Sequence, residues 1–207
     1  MDREEILAAT TLMRRQTADW LDTLSETQLD APSLCSRWRV RDVAGHLAQA
    51  ITVGVTGMVW EVVKAGGSPH RANVTLGRRL GSADPASLLR DRAGVRLDLP
   101  VVGVHGQLTD LQVHNADMRV PIGSPWTPEI AWSVESLRFL EGGAPGFVSK
   151  RRMAGLRVIA TDAEVVFGEG AELRGAAYDL VVGLCGRLPA LERMEGDGVE
   201  VLRTRLA

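Results

Sequence analysis

Two imidazoles and one carboxylate carry the chemistry of this sequence: His46, Asp110 and His114. Asp110 and His114 stand four apart in Leu108-Thr-Asp-Leu-Gln-Val-His-Asn-Ala-Asp-Met-Arg119, a spacing that stacks both side chains on one face of a helix. An ordinary i,i+4 surface pair would explain those two alone. His46 adds a third donor from an earlier helix. Two imidazoles and a carboxylate converging between packed helices form a set that a divalent metal accepts, with coordination positions left for water or substrate. Asp117, one turn beyond His114, either receives the imidazole N–H of a ligand histidine or pairs with Arg119. At about 100° per residue Gln107 shares this face, whereas His105 is turned well away.

The elements that must hold these residues follow from periodicity. Apolar positions Ile6, Leu7, Met13, Trp20, Leu21 and Leu24 define a first amphipathic helix from Arg3 to Leu24. The second opens at Trp38, carries His46 two turns inside its start and runs to Ala65, where Gly66-Gly67 stops it. Residues 68–82 show little periodicity and read as loop, with His70 and Arg71 solvated, and Asp84-Pro85 starts a short helix by an N-cap and a proline at the first helical position. A third main helix, Val102 to Met118, is the ligand helix. Thr127-Pro128 starts the fourth, which ends at Gly142-Gly143. The Gly- and Pro-rich segment Gly142–Gly146 reads as a linker. Beyond it the period changes: Leu156–Thr161 and Glu164–Phe167 form a hairpin, Ala171–Arg174 adds a strand, and helices cover the sheet over 176–184 and 199–206. The expected fold is mainly α, a four-helix bundle over 1–145 followed by a small α+β domain over 146–207.

Composition narrows the function. With 24 basic and 26 acidic residues the net charge is −2, which gives no footprint for nucleic acid. Val43 to Trp60 runs without a charged residue, but His46, Gln49, Thr52 and Thr56 interrupt it and Arg41, Asp42, Glu61 and Lys64 crowd its ends, so a helix buried in a bundle is expected rather than a membrane span. The first residues show no signal peptide and Cys35 and Cys185 have no CxxC partner, so the expected location is the cytoplasm, with reduced thiols. Any metal must then rest on histidine and carboxylate.

The segments Ser33-Leu-Cys-x-x-Trp38-x-Val-x-Asp-Val-x-x-His46-Leu and Asp110-x-x-x-His114-x-x-Asp117-x-Arg119-x-Pro-x-Gly123 resemble the mycothiol-dependent maleylpyruvate isomerase family of DinB-like four-helix bundles. Leu156-Arg-Val-Ile-Ala-Thr-Asp162, Leu184-x-Gly186-Arg187 and Gly196-Asp-Gly198 are similar to that family's C-terminal domain, so nearly the whole chain is covered. The resemblance implies a zinc-type metal on His46, Asp110 and His114, with Asp110 where the family usually places Glu. It also implies mycothiol as thiol cosubstrate and an arginine from the C-terminal domain, matched here by Arg187.

The expected activity is that of a metal-dependent, mycothiol-using thiol transferase or isomerase. Its thiolate attacks a small electrophilic substrate, whose carboxylates Arg187 or Arg119 orient through paired N–H donors. A non-catalytic metal or small-ligand binding module and a metal-dependent hydrolase are the alternatives on the same bundle. The partners expected are the substrate and a low-molecular-weight thiol, on a monomer or homodimer.

Overall fold

Amphipathic periodicity becomes helix where a capping residue starts it. The computed structural model describes residues 1–98 and 101–206. In order come α1 (Arg3–Leu21), α2 (Glu26–Leu29), α3 (Val40–Lys64), α4 (Pro69–Gly81), α5 (Pro85–Asp91), α6 (Gly103–Arg119), α7 (Ile130–Leu140) and α8 (Lys150–Met153). Strands β1 (Leu156–Ala160), β2 (Val166–Gly168) and β3 (Ala171–Gly175) follow, then α9 (Ala177–Leu184), α10 (Leu188–Leu191) and α11 (Gly198–Leu206). The chain is mainly helical with a small α+β part after the linker, the fold class expected from the sequence.

Packing groups these elements into two compact units. One comprises residues 7–97 and 114–126, the other residues 1–6, 98–113 and 127–207, so α6 contributes its first half to one and its second half to the other. All three strands lie after residue 145, and packing places α7 in the unit that contains the sheet.

Within the unit of residues 7–97 and 114–126, α3 supplies the spine. Val40, Val43, Ala44, Leu47, Ala48 and Ile51 are buried along it, and Leu76, Leu89 and Met118 are buried in the same unit. Among the described side chains of the uncharged stretch, the last buried one is Ile51. At Gly54 the backbone takes φ 64 and ψ −176, a conformation essentially restricted to glycine, and the axis turns by 115°. Beyond the break Val59, Trp60 and Val63 are about 60% exposed, so the expectation of a helix buried throughout is corrected. No single helix among the described residues is long and apolar enough to cross a membrane.

Residues 68–82, expected as loop, form α4. Ser68 accepts from the Arg71 backbone N–H and Pro69 occupies the first turn, the same device that starts α5 at Asp84-Pro85. The two glycines of this segment, Gly77 and Gly81, have a packing reason. A Cβ on Gly45 would lie 2.1 Å from the Gly77 carbonyl oxygen and 2.3 Å from the Gly81 nitrogen, and one on Gly81 would lie 2.3 Å from the Arg41 carbonyl oxygen. Gly45, Gly77 and Gly81 therefore let the backbones of α3 and α4 touch. That contact brings Asn73, one turn before Gly77, against the face of α3 that carries the site.

In the other unit β1 is central, antiparallel to β2 and parallel to β3, with Val158 opposite Phe167 on one side and Leu173 on the other. Leu156, Val158 and Ala160 face inward, and Leu180, Val181, Leu184 and Leu202 of α9 and α11 are buried with them.

Candidate metal centre

His46 owes its position to the start of α3. Asp42 is buried and accepts from Arg39 through the backbone N–H at 3.0 Å, Nε at 3.1 Å and a terminal nitrogen at 2.9 Å. Burial pushes the Asp42 carboxyl up, but the Arg39 side-chain and backbone bonds outweigh it and hold Asp42 below the usual carboxylate range. The first turn thus carries a negative charge at the positive end of the helix dipole.

One turn further, the His46 ring meets Trp38 edge-on at 5.2 Å and His114 edge-on at 4.9 Å between centroids. His46 Nδ1 lies 2.8 Å from Gln49 Nε2, which also donates to Asn73 Oδ1 at 3.0 Å.

On α6, His114 Nδ1 lies 2.8 Å from Oδ2 of the fully buried Asp117. An ionised carboxylate only accepts, so the Nδ1 proton is fixed there and Nε2 keeps its lone pair for a cation. Of the two roles the sequence left open for Asp117, the structure places it as this imidazole partner. The Leu34 N–H donates to the Asp117 carbonyl oxygen at 3.0 Å and the Cys35 Sγ–H to its Oδ2 at 3.0 Å, so the loop before α3 is fastened to α6. Asp110 stands one turn before His114 on the same helix. Ligand atoms of His46, Asp110 and His114 all lie within 4.8 Å of one another, and each residue is partly buried. A cation drawn into their midst needs only a small adjustment of side chains to reach the 2.0–2.2 Å bonds of zinc (about those lengths).

Cys35, His114 and Asp117 form a second group with similar spacing. Its geometry is that of hydrogen bonds. Two N/O ligands on one tetrahedral zinc sit about 3.3 Å apart, given bonds of about 2.0 Å, whereas His114 Nδ1 and Asp117 Oδ2 are 2.8 Å apart. His46, Asp110 and His114 are the candidate donor set that leaves the His114–Asp117 hydrogen bond intact.

The remaining expected residues lie as follows. Arg119 is 7% exposed, donates from Nε to Asn115 Oδ1 at 3.0 Å and lies over the rings of Trp20 and Trp126 at 4.0 and 5.5 Å. Its guanidinium is held in an aromatic sandwich at the end of α6. Arg187 is half-buried just before α10 and donates to the Cys185 carbonyl oxygen at 2.7 Å. His105, read as turned from the site, pairs with Glu135 at 3.2 Å and stacks on Phe139. Neither cysteine is in a disulfide. Sequence reasoning missed Gln49 and Asn73. The Ser68-Pro69 start signal would have revealed α4 and so Asn73, and a glutamine three residues after a candidate ligand histidine was the remaining clue.

Residues 11–100 match the family described as the mycothiol maleylpyruvate isomerase N-terminal domain. The match includes His46 and ends before Asp110. A crystal structure of a histidine-to-alanine mutant of mycothiol-dependent maleylpyruvate isomerase is similar over 96% of this chain and 94% of that one, at 14% identity and a TM-score of 0.61. A second crystal structure of mycothiol-dependent maleylpyruvate isomerase aligns over the same shares at 13% identity and a TM-score of 0.48. The first shows a shared fold; identity this low says nothing of activity. No curated protein sequence matches the chain.

Proposed function

We propose that this chain, whose residues 11–100 match the mycothiol maleylpyruvate isomerase N-terminal domain family, is a metal-dependent enzyme that uses mycothiol to isomerise, or transfer the thiol to, a small electrophilic substrate. The observation that carries the reading is the convergence of His46 from α3 with Asp110 and His114 from α6, within 4.8 Å. A zinc-type cation held there would lower the pKa of a coordinated thiol and so favour the nucleophilic thiolate at neutral pH. The chain's own part is to present three partly buried donors from two helices. Asp117 fixes the His114 tautomer, and Trp38 walls one side of His46. No protein cysteine is consumed in this scheme, in keeping with Cys35 donating to Asp117 and Cys185 being buried.

The support for Arg187 as the donor to substrate carboxylates is its match to the arginine of the family's C-terminal domain, while Arg119, buried on Trp20, acts by fixing the end of α6 that carries His114. A cytoplasmic site of action, as monomer or homodimer, goes with this reading.

Elemental analysis of purified wild type, His46→Ala and His114→Ala tests the centre. Zinc near one per chain that is lost in both variants is expected; metal absent from wild type after reloading overturns the proposal. Given bound metal, consumption of an electrophile only when mycothiol is added supports the enzyme. Bound metal without such turnover leaves a binding module, and turnover without thiol a hydrolase. Arg187→Ala should raise KM for a carboxylated substrate more than it lowers kcat.

A further inference from the structure

His46 and His114 are each held by the residue three positions later on the same helix: Gln49 at 2.8 Å from His46 Nδ1, and Asp117 at 2.8 Å from His114 Nδ1. The two devices differ in polarity. Asp117 can only accept, so it leaves His114 Nε2 ready for a cation. Gln49 carries an oxygen and a nitrogen of nearly the same shape, and it can face Nδ1 with either. With its nitrogen there, Nδ1 must accept and the ring proton sits on Nε2, the position a cation needs. With its oxygen there, Nδ1 donates and Nε2 carries the lone pair.

Two observations show that Gln49 is free to follow the ring. The side chain is 3% exposed, yet its Oε1 is buried and has no hydrogen-bond partner among the described residues, so nothing at that end dictates which atom faces His46. The neighbour at the other end, Asn73 Oδ1 at 3.0 Å, is also an amide and can reverse in step, donating its Nδ2–H instead of accepting. We propose that Gln49 is the positioning residue for His46, and that the Gln49–Asn73 amide pair reverses when a divalent cation binds, so that Gln49 Oε1 accepts the His46 Nδ1–H. This rests on the metal reading above. The chain would then orient both ligand imidazoles by one i,i+3 design, with a fixed acceptor on α6 and a reversible one on α3.

The test is Zn²⁺ affinity of the full chain, measured by competition with a chromogenic chelator, with thermal unfolding of the metal-free proteins as control. Gln49→Met keeps the shape and removes the bond; its affinity should fall about 10- to 100-fold, as for other lost partners of ligand histidines. Gln49→Glu can only accept and should bind at least as tightly as wild type. Asn73→Asp can only accept as well, so it holds the Gln49 nitrogen toward itself and toward His46, and binding should weaken although a negative charge has come nearer.

A purely electrostatic influence would make both acidic variants tighter, and that result overturns the proposal, as does wild-type affinity in Gln49→Met. Should Gln49→Met not fold, the opposite signs of the two acidic variants decide alone. Wild type that binds no Zn²⁺ overturns the metal reading itself, and this inference with it.

Discussion

Gly45→Ala should damage the fold and the candidate centre together, by an amount the α3–α4 crossing sets. The added methyl would stand 2.1 Å from the Gly77 carbonyl oxygen and 2.3 Å from the Gly81 nitrogen. A carbon and a carbonyl oxygen approach no closer than about 3.3 Å in ordinary packing, so the two helices must part by about 1.2 Å. Both obstacles are backbone, which no rotamer change can move aside. Overpacking of this kind costs about 1–3 kcal/mol, and the backbone character puts the estimate at about 3. For a chain of this length that is a fall in melting temperature of about 6–12 °C. The same displacement stretches the Gln49–Asn73 bond from 3.0 Å to beyond hydrogen-bonding reach, so Zn²⁺ affinity should drop as well. Gly94→Ala is the control, since a Cβ there meets nothing within 4 Å. Thermal unfolding by circular dichroism and chelator competition read the two effects. A Gly45→Ala protein that melts within about a degree of wild type would refute the crossing geometry, given that far smaller intrusions are felt in packed interfaces.

Asp117→Asn keeps an oxygen for His114 but loses the charge, and Zn²⁺ affinity should weaken about tenfold; unchanged affinity would detach Asp117 from the centre. Asp84→Ala removes the cap of α5 and should cost about 1 kcal/mol at neutral pH in urea unfolding. The Ser87 backbone N–H, followed by its hydroxyl, holds the Asp84 carboxyl below the usual carboxylate range. A lowered folded-state value means that this stabilisation is present above the ordinary carboxylate pKa and is lost as pH falls through the folded one, so wild type and variant should converge on acidification. Arg14 is buried and donates to the Ala93 and Val95 carbonyl oxygens at 2.9 and 2.8 Å. Arg14→Met should leave both acceptors unpaired and lower stability by about 3 kcal/mol, with little change in Zn²⁺ affinity.

Much of this architecture was legible because local signals agreed with the final packing. Asp84-Pro85 and the strand run at 156–160 each specify their element within a few residues. The failures have a common physical source. Glycine in α4 argued against helix by propensity, yet Gly77 and Gly81 are there for a close crossing that only the partner helix reveals. In α3 the apolar run continues through Gly54 without a change of period, so nothing in the pattern announced a 115° bend that rests on one backbone conformation. The three proposed ligands were visible from residue type and an i,i+4 interval. Gln49 and Asn73 were not, since a hydrogen bond between side chains on different helices leaves no trace in periodicity.

The distance in sequence between the donors also sets how a cation would act on the whole unit. His46 and His114 lie on helices far apart in the chain, and the loop before α3 is already tied to α6 through Leu34, Cys35 and Asp117. A cation on His46, Asp110 and His114 would therefore close a second tie beside the first, and its binding energy would be folding energy, because the unfolded chain holds no preformed site. At a hundred times its dissociation constant a bound cation stabilises by about 2.7 kcal/mol. Chelation should lower the melting temperature of wild type in proportion to the affinity lost and leave His46→Ala unmoved. If chelator shifts both proteins equally, the cation that matters is held somewhere other than between α3 and α6.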